Sequence, residues 1–238
     1  MKKIILLLLL LYLPVQLQAQ LGEPRRILSV GASAGVNFNS IGFSPTIKQN
    51  KHIGPTAGVA FRVTSEKYFK LLCALQIELN YAQLGWNENI IDSNSQPLPD
   101  SYKRHINYVQ MPILARLAYG KEDRGLAGYL VIGPQIGYAF SESETRSAEW
   151  TVNGEGNPDR PNDMFAQYSM DLERPFDYGI TAGLGLEFNA NRGHYSVEVR
   201  YYYGLGNIFS NRKKDVFERS NHNTLSARLT YFFDIKKK

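Results

Sequence analysis

Histidines, loop aspartates and a single cysteine are the side chains with which this 238-residue chain could do chemistry. His52, His105, His194 and His222 are scattered, with no HxxxH or HExxH spacing to put two imidazoles on one helix face. Cys73 stands alone, so neither a thiolate metal cluster nor an internal disulfide is available. A general base would need one of these histidines beside Asp92, Asp100, Asp159, Asp163 or Asp171, and spacing does not supply that geometry. Each His falls in a loop or at a strand end, where a solvated rim residue is the expectation. Glu155, Asp159 and Asp163 lack EF-hand spacing. The expectation is therefore no catalytic residue, no metal and no cofactor.

A second kind of chemistry lies in the segment Ser141–Pro175. It mixes Trp150, Phe165 and Tyr168 with turn-rich polar residues such as Asn157-Pro158-Asp159-Arg160-Pro161. Exposed aromatics beside Arg are the usual anchors of a binding surface. They point to capture of a protein or glycan partner, against the plainer reading of a mobile loop.

The elements that must carry these residues follow from composition and period. The chain is 43% hydrophobic and 21% charged, which argues against disorder or a disulfide scaffold. Lys2 and Lys3, the apolar run Ile4–Leu13, Pro14 and the small residue Ala19 form a secretory leader over residues 1–19. The domain expected to fold is 20–238. Removing the leader lowers the net charge from +5 to +3. That mild balance, in an exported chain, gives no reason to expect nucleic acid as a partner.

The mature chain alternates apolar and polar residues with period two, the mark of a half-buried strand. Eight segments show it: Ile27–Phe38, Gly54–Thr64, Lys70–Leu84, His105–Tyr119, Ala127–Phe140, Phe176–Asn189, His194–Leu205 and Asn223–Asp234. They exceed the common strand length of about 5 to 6 residues and suit a tilted membrane crossing of about 9 to 11. Short connections (Ser65–Phe69, Gly120–Leu126, Ala190–Gly193) alternate with long polar ones (Asn39–Ile53, Gly85–Arg104, Ser141–Pro175, Gly206–His222). The expected fold is all-β: an eight-stranded antiparallel up-and-down transmembrane β-barrel with short periplasmic turns and long extracellular loops.

One face of each strand is apolar. The other carries Arg62, Glu78, Arg116, Glu187, Glu198, Arg200 and Arg228, with Gly31, Gly35, Gly54, Gly58, Gly133, Gly137, Gly179, Gly183 and Gly185. An eight-stranded interior is just wide enough for side chains to fill. Glycines on some walls would make room for long charged side chains from others, which places the charges inside. In ring order the third strand faces the seventh and the fourth faces the eighth. Glu78 and Arg116 are then expected to reach across to Glu198, Arg200 and Arg228, closing the lumen as a paired plug. Outward tyrosines would form interfacial girdles against outer-membrane lipid, with Tyr108, Tyr129 and Tyr202 inside. Phe232-Phe233 near the end of the last strand suits a signal for the barrel-assembly machinery.

Four stretches carry a resemblance: Leu75-Gln-Ile-Glu-Leu-Asn-Tyr-Ala-Gln-Leu-Gly85, Tyr108-Val-Gln-Met-Pro112, Phe176-Asp-Tyr-Gly179 with Gly183-Leu-Gly-Leu-Glu187, and Arg200-Tyr-Tyr-Tyr-Gly-Leu-Gly-Asn-Ile208. They resemble the PorT-like outer-membrane β-barrel family of Bacteroidetes. The resemblance implies an eight-stranded barrel in the cell outer membrane and no catalytic residues. Its namesake is associated with type IX protein secretion. The leading expectation is a non-enzymatic barrel, structural, adhesive or accessory to secretion. A narrow passive channel, a hydrolase at the rim and a soluble lipid carrier are the alternatives.

Overall fold

The computed structural model describes residues 23–237 except 93, 122, 123, 191 and 192; the expected leader, 1–19, lies outside them. The wall consists of β1 (Glu23–Ser44), β2 (His52–Tyr68), β3 (Leu71–Glu88), β4 (Tyr102–Gly120), β5 (Gly125–Arg146), β6 (Phe176–Ala190), β7 (Gly193–Gly204) and β8 (Arg219–Lys237). Each strand pairs antiparallel with the next. β1 pairs with β8 from Ile27↔Lys237 to Ser44↔Arg219, and the ring closes. A closed ring leaves no unpaired edge, which is what a hydrocarbon environment demands of a sheet. A two-residue strand, Gln49–Asn50, lies against the end of β3 at Asn87 and Glu88.

Over most of the wall, burial alternates residue by residue. In β4, Tyr108, Gln110, Leu114, Arg116 and Ala118 are buried, while Val109, Met111, Ile113 and Leu117 are exposed. The same holds round the ring: Val59, Leu79, Leu130, Leu184, Val197 and Leu229 all face outward. A continuous apolar belt of this extent belongs in lipid, because soluble monomers rarely expose large contiguous apolar patches.

The strands run further than their sequence pattern suggests. β1 reaches Ser44, β3 reaches Glu88, β5 reaches Arg146, and β8 starts at Arg219. The long connections shrink to L1 (45–51), L2 (89–101), L3 (147–175) and L4 (205–218). The reason is that the two faces trade character near the extracellular end. On β3 the outward row passes from Leu75, Ile77, Leu79 and Tyr81 to Gln83 and Asn87. The inward row passes from Gln76, Glu78 and Asn80 to Ala82, Leu84 and Trp86. Gly85 sits at the changeover with φ +142°, facing the Arg104 backbone too closely for a side chain. Above the changeover the barrel is built like a soluble protein, polar outside and apolar inside. A search for one apolar row per strand stops there.

The interior therefore has a charged middle with a large apolar core above it. A small apolar cluster, Leu114, Ala118, Tyr129 and Val131, lies on one wall at the level of Arg116, whose guanidinium covers the Tyr129 ring. The large core, at the extracellular end, joins Phe43, Leu84, Trp86, Tyr102, Ile106, Tyr168, Phe209 and Phe217 with others.

Candidate functional site

All seven charged residues singled out above are buried inside the barrel, and they fall into two groups. The upper group centres on Glu78 of β3. Arg200 of β7, directly across the ring, grips it with Nη2 to Oε1 at 2.5 Å and Nη1 to Oε2 at 2.9 Å. Arg228 Nη1 of β8 donates to Oε2 at 2.9 Å, and Gln76 and Asn80 complete the shell at 2.6 and 2.9 Å. Arg228 Nη2 also donates to Ser33 and Asn80, and Arg200 Nε is bonded to Glu198. Five donors on one carboxylate leave it no unmet acceptor demand, the condition under which a buried charge is tolerated.

The second group centres on Glu187 of β6. Arg62 of β2, again directly across the ring, donates to its Oε2 at 2.5 Å. Arg116 Nη2 stands 3.0 Å from the same oxygen. The Arg62 guanidinium lies 4.1 Å over the Phe232 ring, and that of Arg116 lies 4.2 Å over Tyr129. A Cβ on Gly185 would stand 2.5 Å from the Tyr129 ring, so glycine there lets the tyrosine lie under Arg116. Arg116 thus meets Glu187, not the seventh- and eighth-strand residues expected from ring order. Strand tilt shifts facing pairs along the axis, and ring order alone does not carry that shift.

Two polar layers flank these groups. Towards the periplasm, His194 meets Asn189 at 2.7 Å and Asp234 at 2.9 Å, and the Ser29 hydroxyl donates to Asp234 at 2.6 Å. Serine, aspartate and histidine are together here, but Ser29 is bonded to the carboxylate, so no nucleophile faces the imidazole. Towards the cell surface, Asn39 Nδ2 faces His222 Nδ1 at 3.2 Å, and His222 Nε2 faces Tyr108 Oη at 3.0 Å. An amide donating to Nδ1 leaves Nε2–H to donate to the phenol. His52 is buried against Asn87 at 3.1 Å. These three histidines are buried, His194 and His222 in the lumen and His52 edge-on to His105 at 4.8 Å, not the solvated rim residues the sequence suggested. Asp177, bonded by Tyr202 at 2.8 Å, is a further interior carboxylate that the strand reading did not single out.

A family model described as outer membrane protein beta-barrel domain matches residues 18–210. The chain belongs to this family. No curated protein matches it. Among solved structures it is similar to Neisserial surface protein A, at 12% identity and TM-score 0.42, over 85% of this chain and 95% of that one. It is similar to OprG of Pseudomonas aeruginosa at 9% identity and TM-score 0.41, over 90% and 97% of the two chains. A third is Ail, the attachment invasion locus protein of Yersinia pestis, at 12% identity and TM-score 0.37, over 89% and 99%.

In this barrel domain, L3 is a folded cap. Tyr168 is buried, while Trp150 and Phe165 are partly buried and pack against the upper core. Trp150 stacks on Tyr168 with ring centroids 4.8 Å apart. The expected exposed aromatics are therefore turned inward, because Phe43, Trp86, Tyr102 and Phe209 offer them a surface that sequence reading could not see. Polar ties hold the cap. Tyr168 Oη donates to Glu88 at 2.6 Å and accepts from Arg160 Nε at 2.8 Å. Arg104 of β4 donates to Glu142 at 2.6 Å and to the Met170 carbonyl at 2.6 Å. Burial pushes the Glu88 carboxyl up from its ordinary range. Tyr168→Phe removes one donor from this buried carboxylate, and the cap should open more easily by about 1–3 kcal/mol. Faster amide exchange within 150–168, with the strand amides unchanged, is the expected reading.

Proposed function

We propose that this protein is a closed, non-enzymatic barrel of the cell outer membrane, exported by its leader and inserted by the barrel-assembly machinery. It would be structural, adhesive or accessory to secretion. The observation that carries this reading is the double closure of the interior. Two ion-pair groups each bind opposed walls together, and above them an aromatic cap fills the mouth. A continuous water path would require breaking both. A protein or glycan partner would meet the polar outer skin of L3 and its neighbours, since Trp150, Phe165 and Tyr168 face the core.

Purified protein in planar bilayers should leave conductance at the lipid background. Stepwise openings would instead make it a narrow channel, and the closed reading would fall.

A further inference from the structure

We propose that the groove between the outer face of β1 and loop L1 binds the phosphate group of a phosphorylated lipid surrounding the crown of the barrel. The proposal rests on the membrane orientation argued above and adds a headgroup site to it. The groove has a volume of ≈ 440 Å³, and Ser40, Thr46, Lys48, Lys51 and Asn89 contribute its polar lining beside Gln49. No carboxylate lines it. Gln49 is occupied elsewhere, its side chain bonded to the Ile41 backbone on both sides. Lys48 and Lys51 are exposed, and Ser40 Oγ holds the Lys51 ammonium at 2.8 Å. The Lys51 ammonium, with Lys48 and hydroxyl- and amide-bearing residues on the same lining, matches the charge and hydrogen-bonding demand of a phosphate.

Height selects the source of that phosphate. Lys51 is the next residue above Ile53, Pro55, Ala57 and Val59 in one outward, exposed row. Ser40 stands one outward step above Phe38 in β1 and pairs with Asn223 of β8. The ammonium therefore lies where the apolar belt ends, at headgroup level. A lipid held there can run its acyl chains down past Val36 and Ile53, whereas free phosphate gains nothing from that floor. The same side of the crown keeps a basic excess: Arg219 is paired with Ser44 and bonded to the Gly42 carbonyl, and Arg212-Lys213-Lys214 lies in the adjoining L4, against two carboxylates there, Asp215 and Glu218, the latter bonded to Ser44. Basic residues clustered beside a membrane surface attract anionic headgroups.

The test uses the whole barrel inserted in phosphatidylcholine vesicles. Spin-labelled phosphatidic acid, a phosphate monoester, is compared with spin-labelled phosphatidylcholine for association with the protein. The acid should bind roughly fivefold more strongly or better, and the preference should fall towards unity in Lys48→Gln/Lys51→Gln. Both lysines are exposed, and unheated gel mobility checks that the variant is folded. An inserted wild type with no preference, or a variant that keeps it, overturns the proposal. Loss of preference with inorganic phosphate, but not with chloride of equal ionic strength, reassigns the groove to free phosphate and overturns the lipid assignment. A wild type that does not enter vesicles overturns the membrane reading itself, and this proposal with it.

Discussion

Glu78→Ala should destabilise the folded barrel by about 3–5 kcal/mol. The substitution removes the one carboxylate that both Arg200 and Arg228 grip. Glu198 remains for Arg200, but Arg228 keeps only the neutral oxygens of Ser33 and Asn80. Two guanidinium groups then face each other in a water-poor interior with one anion between them. Removing the rest of the group as well should reverse most of the loss. Glu78→Ala combined with Arg200→Met, Arg228→Met and Glu198→Met, so that no member of the group stays buried without its partner, is expected to regain stability, since a well-packed apolar replacement of a buried ion group is often neutral or better. Reversible guanidinium unfolding in vesicles measures both. A Glu78→Ala barrel with an unchanged midpoint would show that the ion group contributes nothing to stability.

Leu184→Arg should cost about 2–4 kcal/mol, the penalty for a cation facing lipid near the bilayer midplane. Leu184 lies mid-way along the outward row of β6 and is 63% exposed. In water such a substitution on an exposed site would usually shift stability by less than about 0.5 kcal/mol. The comparison residue is Ser143, exposed towards the extracellular end of β5 opposite His105 rather than a lysine. Ser143→Arg should be near neutral. The pair separates lipid from water along the same outer surface, and equal effects at the two positions would contradict the placement of the belt.

The readable part of this fold was the part where one physical rule governs each face. Inside the belt every second residue meets lipid and its neighbours meet the lumen, so Leu75, Ile77 and Leu79 against Gln76, Glu78 and Asn80 mark both strand and face. The crown was unreadable for the same reason. At Leu84 and Trp86 the apolar residues move to the opposite row, so the pattern read as the start of a loop. His222 was hidden in what looked like a long polar connection, yet it lies on β8 beneath the cap. Asp234 seemed to close the last strand, but its partners His194 and Ser29 come from β7 and β1. Trp150 and Tyr168 looked exposed because the surface that covers them comes from β1, β3, β4 and L4. Such contacts between distant segments leave no local trace.

The changeover of faces near Gly85 also sets a waterline for the molecule. Raising the barrel would lift Leu79 and Tyr81 on β3 and Ile53 on β2 out of hydrocarbon. Lowering it would draw Gln83, Asn87 and Lys51 into hydrocarbon. Either displacement is opposed on several strands at once, because outward polar residues also follow the belt on β1 at Ser40 and Ser44, on β4 at Asn107 and Lys103 and on β5 at Ser143 and Thr145. The crown is thereby carried at a fixed height above the bilayer, so that whatever meets it meets it always at the same distance from the membrane.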